Sequence, residues 1–129
     1  MNHDTEFSID YCEQGSSAEL LLYGATVISW KSGTTADPQP IERLFVSSKA
    51  ALDGSKPVRG GIPVIFPCFG PPTHPEHMRL GQHGFARSVV WTFDSVVMDN
   101  DAGVSVRLSE SHSTRMTTID FVRYILTSI

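Results

Sequence analysis

The chain has 129 residues, and its 10 lysines and arginines against 14 aspartates and glutamates give a net charge of −4. A hydrophobic content of 40% is typical of one globular domain, which excludes a largely disordered chain, and the acidic balance argues against a general nucleic-acid binder. Every apolar run is much shorter than the roughly 18 residues of a membrane-spanning helix, and residues 1–10 lack the apolar stretch of a secretory signal, so we expect a cytoplasmic protein without membrane contact.

The first half of the chain predicts short strands separated by turns. Residues 5–11 carry apolar side chains at alternate positions, which is the period of a half-buried strand. Two apolar runs, residues 19–23 and 25–30, predict a pair of strands joined by a tight turn or bulge at Gly24. A loop then leads to a short predicted strand over residues 42–48.

The second half returns to strands after a segment, residues 57–75, that is rich in glycine and proline. Pro63 interrupts the apolar part of that segment and fits the edge of a sheet. Residues 88–97 predict a strand, and the alternation over 104–109 predicts the return arm of a hairpin. Residues 121–126 fit either a further strand or a short helix. Together the elements predict an all-β sandwich or barrel, and 129 residues are few for such a fold, so we expect part of a larger sheet system.

Positive charge is concentrated in the middle of the chain. Between Asp53 and Asp94 the only acidic residue is Glu76, whereas the same stretch holds four bases: Lys56, Arg59, Arg79 and Arg87. A basic, glycine-rich segment in an acidic protein suggests a site for a small anion, and a solvated loop is the plain alternative.

Metal and disulfide chemistry have little support in the sequence. Cys12 and Cys68 are too few for a disulfide scaffold, so we expect free thiols, and the absence of a C-x-x-C motif excludes a structural thiolate zinc site. His74, His77 and His83 form an H-x-x-H…H pattern, but a proline between the first two and their place in a loop favour surface histidines. We therefore predict no metal site.

Two clusters, residues 56–70 and 82–87, carry the residue types of a binding site. Paired glycines expose backbone N–H groups and allow a ligand to approach closely. Arg59 offers a planar, permanently charged fork that matches phosphate or carboxylate. Gln82 both donates and accepts hydrogen bonds, which suits sugar hydroxyls. As separate patterns these clusters are common in plain turns.

The motifs gain weight from their order along the chain. They are Tyr-Gly-Ala at 23–25, Arg-Gly-Gly-Ile-Pro at 59–63, Phe-Pro at 66–67, Phe-Gly at 69–70, His-Gly-Phe-Ala-Arg at 83–87, and Trp91. In this order and spacing, over roughly residues 7–109, the sequence resembles the glucose-6-phosphate 1-epimerase family of hexose-6-phosphate mutarotases, relatives of aldose 1-epimerase. The resemblance implies a partial galactose-mutarotase-like β-supersandwich.

The resemblance also implies a reaction and its binding residues. The family interconverts the α and β anomers of a hexose 6-phosphate by acid–base ring opening and needs no cofactor. Arg59, Gln82 and Arg87 match substrate-binding positions of the family, and His83 matches a histidine of its pocket. A hexose 6-phosphate is thus the expected small-molecule partner, and the oligomeric state stays open.

The family's catalytic acid, a histidine, and its base, a glutamate, match no position of this sequence. His83 is a weak candidate for the acid, because the only acidic residue near it in the sequence is Glu76, which lies in a proline-bounded loop. We therefore assign no catalytic residue. The resemblance ends near Arg115, which divides the chain into residues 1–115, part of a mutarotase-like domain, and a divergent tail, 116–129. Three interpretations follow: a mutarotase whose catalytic half is absent, a non-catalytic sugar-phosphate binding module, or a truncated product without independent function.

Overall fold

The computed structural model describes residues 6–11, 16–33, 39–100 and 103–110, with the backbone alone over 6–11. These residues contain strands and two 3₁₀ turns and no α-helix, which confirms the all-β prediction. The strands are β1 (Glu6–Tyr11), β2 (Ser16–Leu21), β3 (Thr26–Ser32), β4 (Ile41–Glu42), β5 (Thr92–Asn100) and β6 (Gly103–Ser109). The 3₁₀ turns are Pro75–His77 and Ala86–Ser88.

The first four strands form one antiparallel sheet in the order β1-β2-β3-β4. The predicted tight turn at Gly24 is confirmed, and the only register shift of the β2–β3 ladder lies between Glu19 and Leu20. Gly24 has a φ of +74°, and an added Cβ would lie 2.6 Å from the carbonyl oxygen of Arg87. Glycine is required there because the segment after β4 packs directly against this turn.

The second sheet is the predicted hairpin of β5 and β6, in which Asn100 pairs with Gly103. Val104, Val106 and Leu108 are buried, in agreement with the alternation of the sequence. The predicted start of β5 at residue 88 is wrong, since the strand begins at Thr92. The preceding residues instead bond to the β2–β3 turn: Gly24 N–H donates to Val89 O (2.7 Å) and Trp91 N–H to Leu22 O (2.8 Å).

The strand predicted over residues 42–48 is also mostly wrong, because β4 ends at Glu42. The Glu42 carboxylate accepts the backbone N–H groups of Trp30 (3.0 Å) and Leu44 (2.9 Å) and so takes the place of a continued ladder. A single bridge between Val46 and Gly60 is the remaining sheet-like contact of this segment.

One core lies between the two sheets. Its buried members come from β2, the β2–β3 turn, β3, β6 and the segment before β5: Ala18, Leu20, Ala25, Val27, Ala86, Trp91, Val104, Val106 and Leu108. Trp91 is 1% exposed and donates its indole N–H to Ala86 O (3.0 Å), while the half-buried Trp30 packs against the same cluster. Both tryptophans are core residues, as predicted.

Some predictions fall outside the described residues: the element at 121–126, the tail at 116–129 and the thiol of Cys12. Cys68 carries a free thiol. Across the described ranges, no helix has the length and apolar character needed to cross a membrane.

Candidate functional site

The first motif, Arg-Gly-Gly-Ile-Pro, is tied by its backbone to two neighbouring segments. Ser47 N–H donates to Arg59 O (2.9 Å), and Gly61 N–H donates to Phe45 O (2.9 Å). Ile62 and Val27 exchange two backbone hydrogen bonds of 2.9 and 3.1 Å. The motif therefore lies at the edge of the first sheet, as expected from its proline, and presents the exposed Arg59 there.

The second motif, His-Gly-Phe-Ala-Arg, is fastened to the Phe66–Pro67 dipeptide of the preceding segment. Phe66 forms a parallel bridge with Gly84, and its carbonyl accepts the N–H of Phe85 (3.0 Å). Gly84 has a φ of +76°, and an added Cβ would overlap the Phe66 carbonyl oxygen. This close approach requires glycine and fixes the direction of the residues on either side.

His83 is positioned by Gly70 through two hydrogen bonds. The His83 N–H donates to Gly70 O (2.7 Å), and Gly70 N–H donates to His83 Nδ1 (3.0 Å). The Phe69 ring stands edge-on to the imidazole, with 5.1 Å between ring centroids. Because Nδ1 accepts a hydrogen bond, the hydrogen-bond pattern assigns the proton of the neutral imidazole to Nε2, which is then a donor.

Arg87 is half-buried in the 3₁₀ turn Ala86–Ser88. One terminal nitrogen, Nη2, donates to the backbone carbonyl of Gln82 (2.9 Å). Its Nε is buried and has no hydrogen-bond partner within the described part of the chain. Guanidinium N–H groups match phosphate and carboxylate oxygens in general, but this Nε is enclosed by protein atoms, so a ligand would have to meet another edge of the guanidinium.

The structure joins two of the four predicted site residues directly, through the bond from Arg87 Nη2 to the Gln82 carbonyl. His83 follows Gln82 in the chain and is held by Gly70 and Phe69, and the Gln82 side chain is exposed. Arg59 lies on the segment that is bonded to residues 45–47, and no hydrogen bond among the described residues joins its guanidinium to the other three. None of the arginines in the described ranges forms an ion pair with a carboxylate there.

Glu76, the only acidic residue between Asp53 and Asp94, faces His74 rather than His83. Its Oε2 lies 4.0 Å from His74 Nδ1, and both side chains are exposed. His74 is exposed, as the sequence predicted, whereas His77 is half-buried, and the centroids of their rings are 5.3 Å apart. Within the described residues, His83 does not join the other two histidines of the H-x-x-H…H pattern. The third side chain close to His74 and His77 is that of Glu76.

Sequence reasoning assigned no role to Phe69 and Gly70, although both belong to the Phe-Gly motif. Their function in the structure is to hold His83. The Phe-Gly motif itself was the sequence signal that could have indicated a role for them. Local sequence patterns could not predict that Gly70 pairs with His83, because the two residues are 13 positions apart.

Comparison with known proteins gives a family match and several relatives. The model of the aldose 1-epimerase family matches residues 9–121. A curated protein of Cenchrus ciliaris, named "Putative glucose-6-phosphate 1-epimerase", is 45% identical over 78 residues, which are 60% of this chain and 21% of the relative. A protein of the same name from Escherichia coli K12 is 33% identical over 99 residues, which are 76% of this chain and 31% of the relative.

Solved structures agree with the sequence comparisons. A protein described as a putative mutarotase (YeaD) from Salmonella typhimurium superposes with a TM-score of 0.65 and 28% identity, covering 84% of this chain and 33% of that one. The Slr1438 protein of Synechocystis gives a TM-score of 0.64 and 25% identity, covering 88% and 40%. The strands described above thus match part of a mutarotase fold, and the chain spans about a fifth to a third of the length of the curated relatives.

Proposed function

Because this chain belongs to the aldose 1-epimerase family, we propose that its loops bind a hexose 6-phosphate for a glucose-6-phosphate 1-epimerase reaction. The proposal assigns Arg59 and Arg87 to the phosphate and Gln82 and His83 to the sugar. It includes a cytoplasmic location, and it invokes no cofactor, nucleic acid or membrane.

The single observation that carries the proposal is the state of Arg87. Its Nη2 is fixed by the Gln82 carbonyl, while its buried Nε lacks a partner in the described residues. A guanidinium that is already held in one direction loses less side-chain entropy when it binds an anionic oxygen, because fewer rotamers must be ordered. His83 Nε2–H is a second donor in the same motif, and its ring is held by the bond from Gly70 N–H to Nδ1.

In the proposed reaction, a base takes the proton of the anomeric hydroxyl while an acid protonates the ring oxygen. The bond between C1 and the ring oxygen breaks and leaves an open-chain aldehyde. Rotation about the C1–C2 bond and reversal of the proton transfers close the ring on the other face. Positioned acid and base groups each contribute about 10²–10⁴-fold to such a step.

The proposed role of the described loops is to bind and orient the substrate. His83 Nδ1 is occupied by Gly70 N–H, and no carboxylate in the described ranges bonds to the imidazole. This observation favours the second candidate, a sugar-phosphate binding unit that does not catalyse ring opening by itself. In both candidates the phosphate is the main source of affinity.

A binding titration tests the phosphate assignment. Glucose 6-phosphate and glucose are titrated into the 129-residue chain and followed by calorimetry. We expect measurable binding of glucose 6-phosphate and much weaker binding of glucose, and we expect Arg87→Ala and Arg59→Ala to weaken glucose 6-phosphate binding several-fold or more. Arg107→Ala, which removes an exposed arginine on β6, is the matched control and should leave affinity unchanged. Equal affinities for glucose and glucose 6-phosphate would contradict the assignment.

Exchange NMR on equilibrated glucose 6-phosphate separates the two candidates. Accelerated α-to-β exchange over a buffer blank would show that an acid–base pair lies within this chain, with His83 as the first residue to replace. Binding without acceleration would support the non-catalytic candidate.

A further inference from the structure

We propose that His74, Glu76 and His77 form a surface binding site for a divalent transition metal ion, with Zn²⁺ as the best-fitting ion. The proposal departs from the sequence-based prediction of no metal site, because Glu76 takes the place of His83 beside His74 and His77. The site is separate from the proposed sugar-phosphate residues and does not depend on their function. It consists of two imidazoles and one carboxylate on a single turn of chain, the 3₁₀ turn Pro75–His77 and the residue before it.

The ligand atoms of the three side chains already lie close together. All are within 4.8 Å of one another, and His74 Nδ1 and Glu76 Oε2 are 4.0 Å apart. Two ligands of one tetrahedral zinc ion are separated by about 3.3 Å, given bonds of roughly 2.0–2.1 Å. Small side-chain rotations of exposed residues can close that difference, so the backbone need not move.

The tautomer of His74 also fits a metal ligand. Its Nδ1 accepts the backbone N–H of Glu76 at 3.3 Å, so Nδ1 carries a lone pair and the ring proton of the neutral imidazole is on Nε2. A metal ion on Nδ1 would replace this long hydrogen bond without moving the ring proton. Two imidazoles and a carboxylate are a common ligand set for zinc, and three protein ligands leave a fourth position for water.

The backbone of the turn is fixed before any metal binds. Pro75 restricts the first position of the turn, and His77 N–H donates to His74 O (2.9 Å). The turn belongs to a loop, residues 71–82, whose two ends are joined by the paired hydrogen bonds of Gly70 and His83. A closed loop loses less conformational entropy when its side chains bind one ion.

Titration of the 129-residue chain with zinc chloride, in a buffer without phosphate, tests the site. The readout is the ¹⁵N spectrum of the histidine side chains, which reports which ring nitrogen binds metal. We expect the His74 Nδ1 and His77 signals to shift together and to saturate at one equivalent. We also expect His77→Ala and Glu76→Gln to weaken zinc affinity tenfold or more.

Met78→Ala is the matched control, because Met78 is 63% exposed and directly follows the turn. This variant should keep the wild-type zinc affinity. Shifts confined to other histidines, binding that is lost when the free thiol of Cys68 is blocked, or equal affinities of wild type and His77→Ala would each overturn the proposal. The circular dichroism spectrum of each variant establishes that a loss of binding is not a loss of fold.

Discussion

Gly84 shows how one residue determines the shape of the candidate site. Its φ is +76°, and the Phe66 carbonyl occupies the position that a Cβ atom would take, so there is no room for a side chain. We expect Gly84→Ala to lower the free energy of unfolding by roughly 2–3 kcal/mol, since alanine is disfavoured by about 1–2 kcal/mol in the left-handed region and its Cβ displaces Phe66. Urea denaturation of both proteins measures the difference.

Gly81→Ala is the control for this prediction. Nothing lies within 4 Å of a Cβ added at Gly81, so the same substitution there should change stability by less than about 0.5 kcal/mol. Equal stabilities of the two variants would show that the Phe66–Gly84 approach is not a constraint on the folded chain.

The residue types of the candidate site could be predicted from the sequence, but the partners of each residue could not. Arginine and glutamine near paired glycines predict an anionic, hydroxyl-rich ligand from the sequence alone. The fixation of His83 by Gly70 depends on where the loop between them returns to its starting point. Loop closure of this kind arises from backbone hydrogen bonds that any residue can make, so it leaves no pattern in the side chains.

At the scale of elements, predictions succeeded where an apolar alternation was long and failed where a polar side chain replaced the ladder. The β5–β6 hairpin was visible because Val104, Val106 and Leu108 alternate with other residues along one strand. The predicted strand over 42–48 had the right composition. The observed strand, β4, ends at Glu42, because the Glu42 carboxylate accepts hydrogen bonds from backbone N–H groups that would be paired in a longer strand.

Glu42 therefore makes the attachment of β4 dependent on pH. Partial burial opposes its ionisation, but hydrogen bonds from Ser29 Oγ and the N–H groups of Trp30, Leu44 and Arg43 outweigh that effect, so the pKa of Glu42 is lowered. A carboxyl group with a lowered pKa in the folded state stabilises the fold above the unfolded value of about 4.3. That stability is lost as the pH falls below this value and through the folded-state pKa.

We expect Glu42→Gln to lower the free energy of unfolding at pH 7, because the neutral amide accepts these hydrogen bonds less strongly than the carboxylate does. The loss should be only about 1 kcal/mol, because the carboxylate is exposed and water partly replaces the lost bonds. The difference between wild type and variant should shrink as the pH is lowered from 5 to 3. Urea denaturation at pH 7, 5 and 3 measures it. A difference that stays constant over this range would mean that the charge of Glu42 does not contribute.

At the scale of the whole molecule, the arrangement of the core bears on whether the chain folds as a unit. Leu20 and Val27 of the first sheet belong to the same buried cluster as Val106 and Leu108 of the hairpin. Trp91 joins the two sheets, since its backbone N–H bonds to Leu22 and its indole N–H to Ala86. A core shared in this way predicts one cooperative transition, whereas an incomplete product would lose its hairpin first.

Val106→Ala tests that expectation, because Val106 is 2% exposed and its loss affects the hairpin directly. Removing two buried methyl groups should lower the free energy of unfolding by about 1–3 kcal/mol. If the two sheets unfold together, native-state hydrogen exchange will show the same loss of protection at the slowest amides of β2 and β6. Val97→Ala, the same change at a position 53% exposed, should alter neither sheet. Protection that falls in β6 and persists in β2 would show that the sheets unfold separately and would favour the truncated product over an independent binding unit.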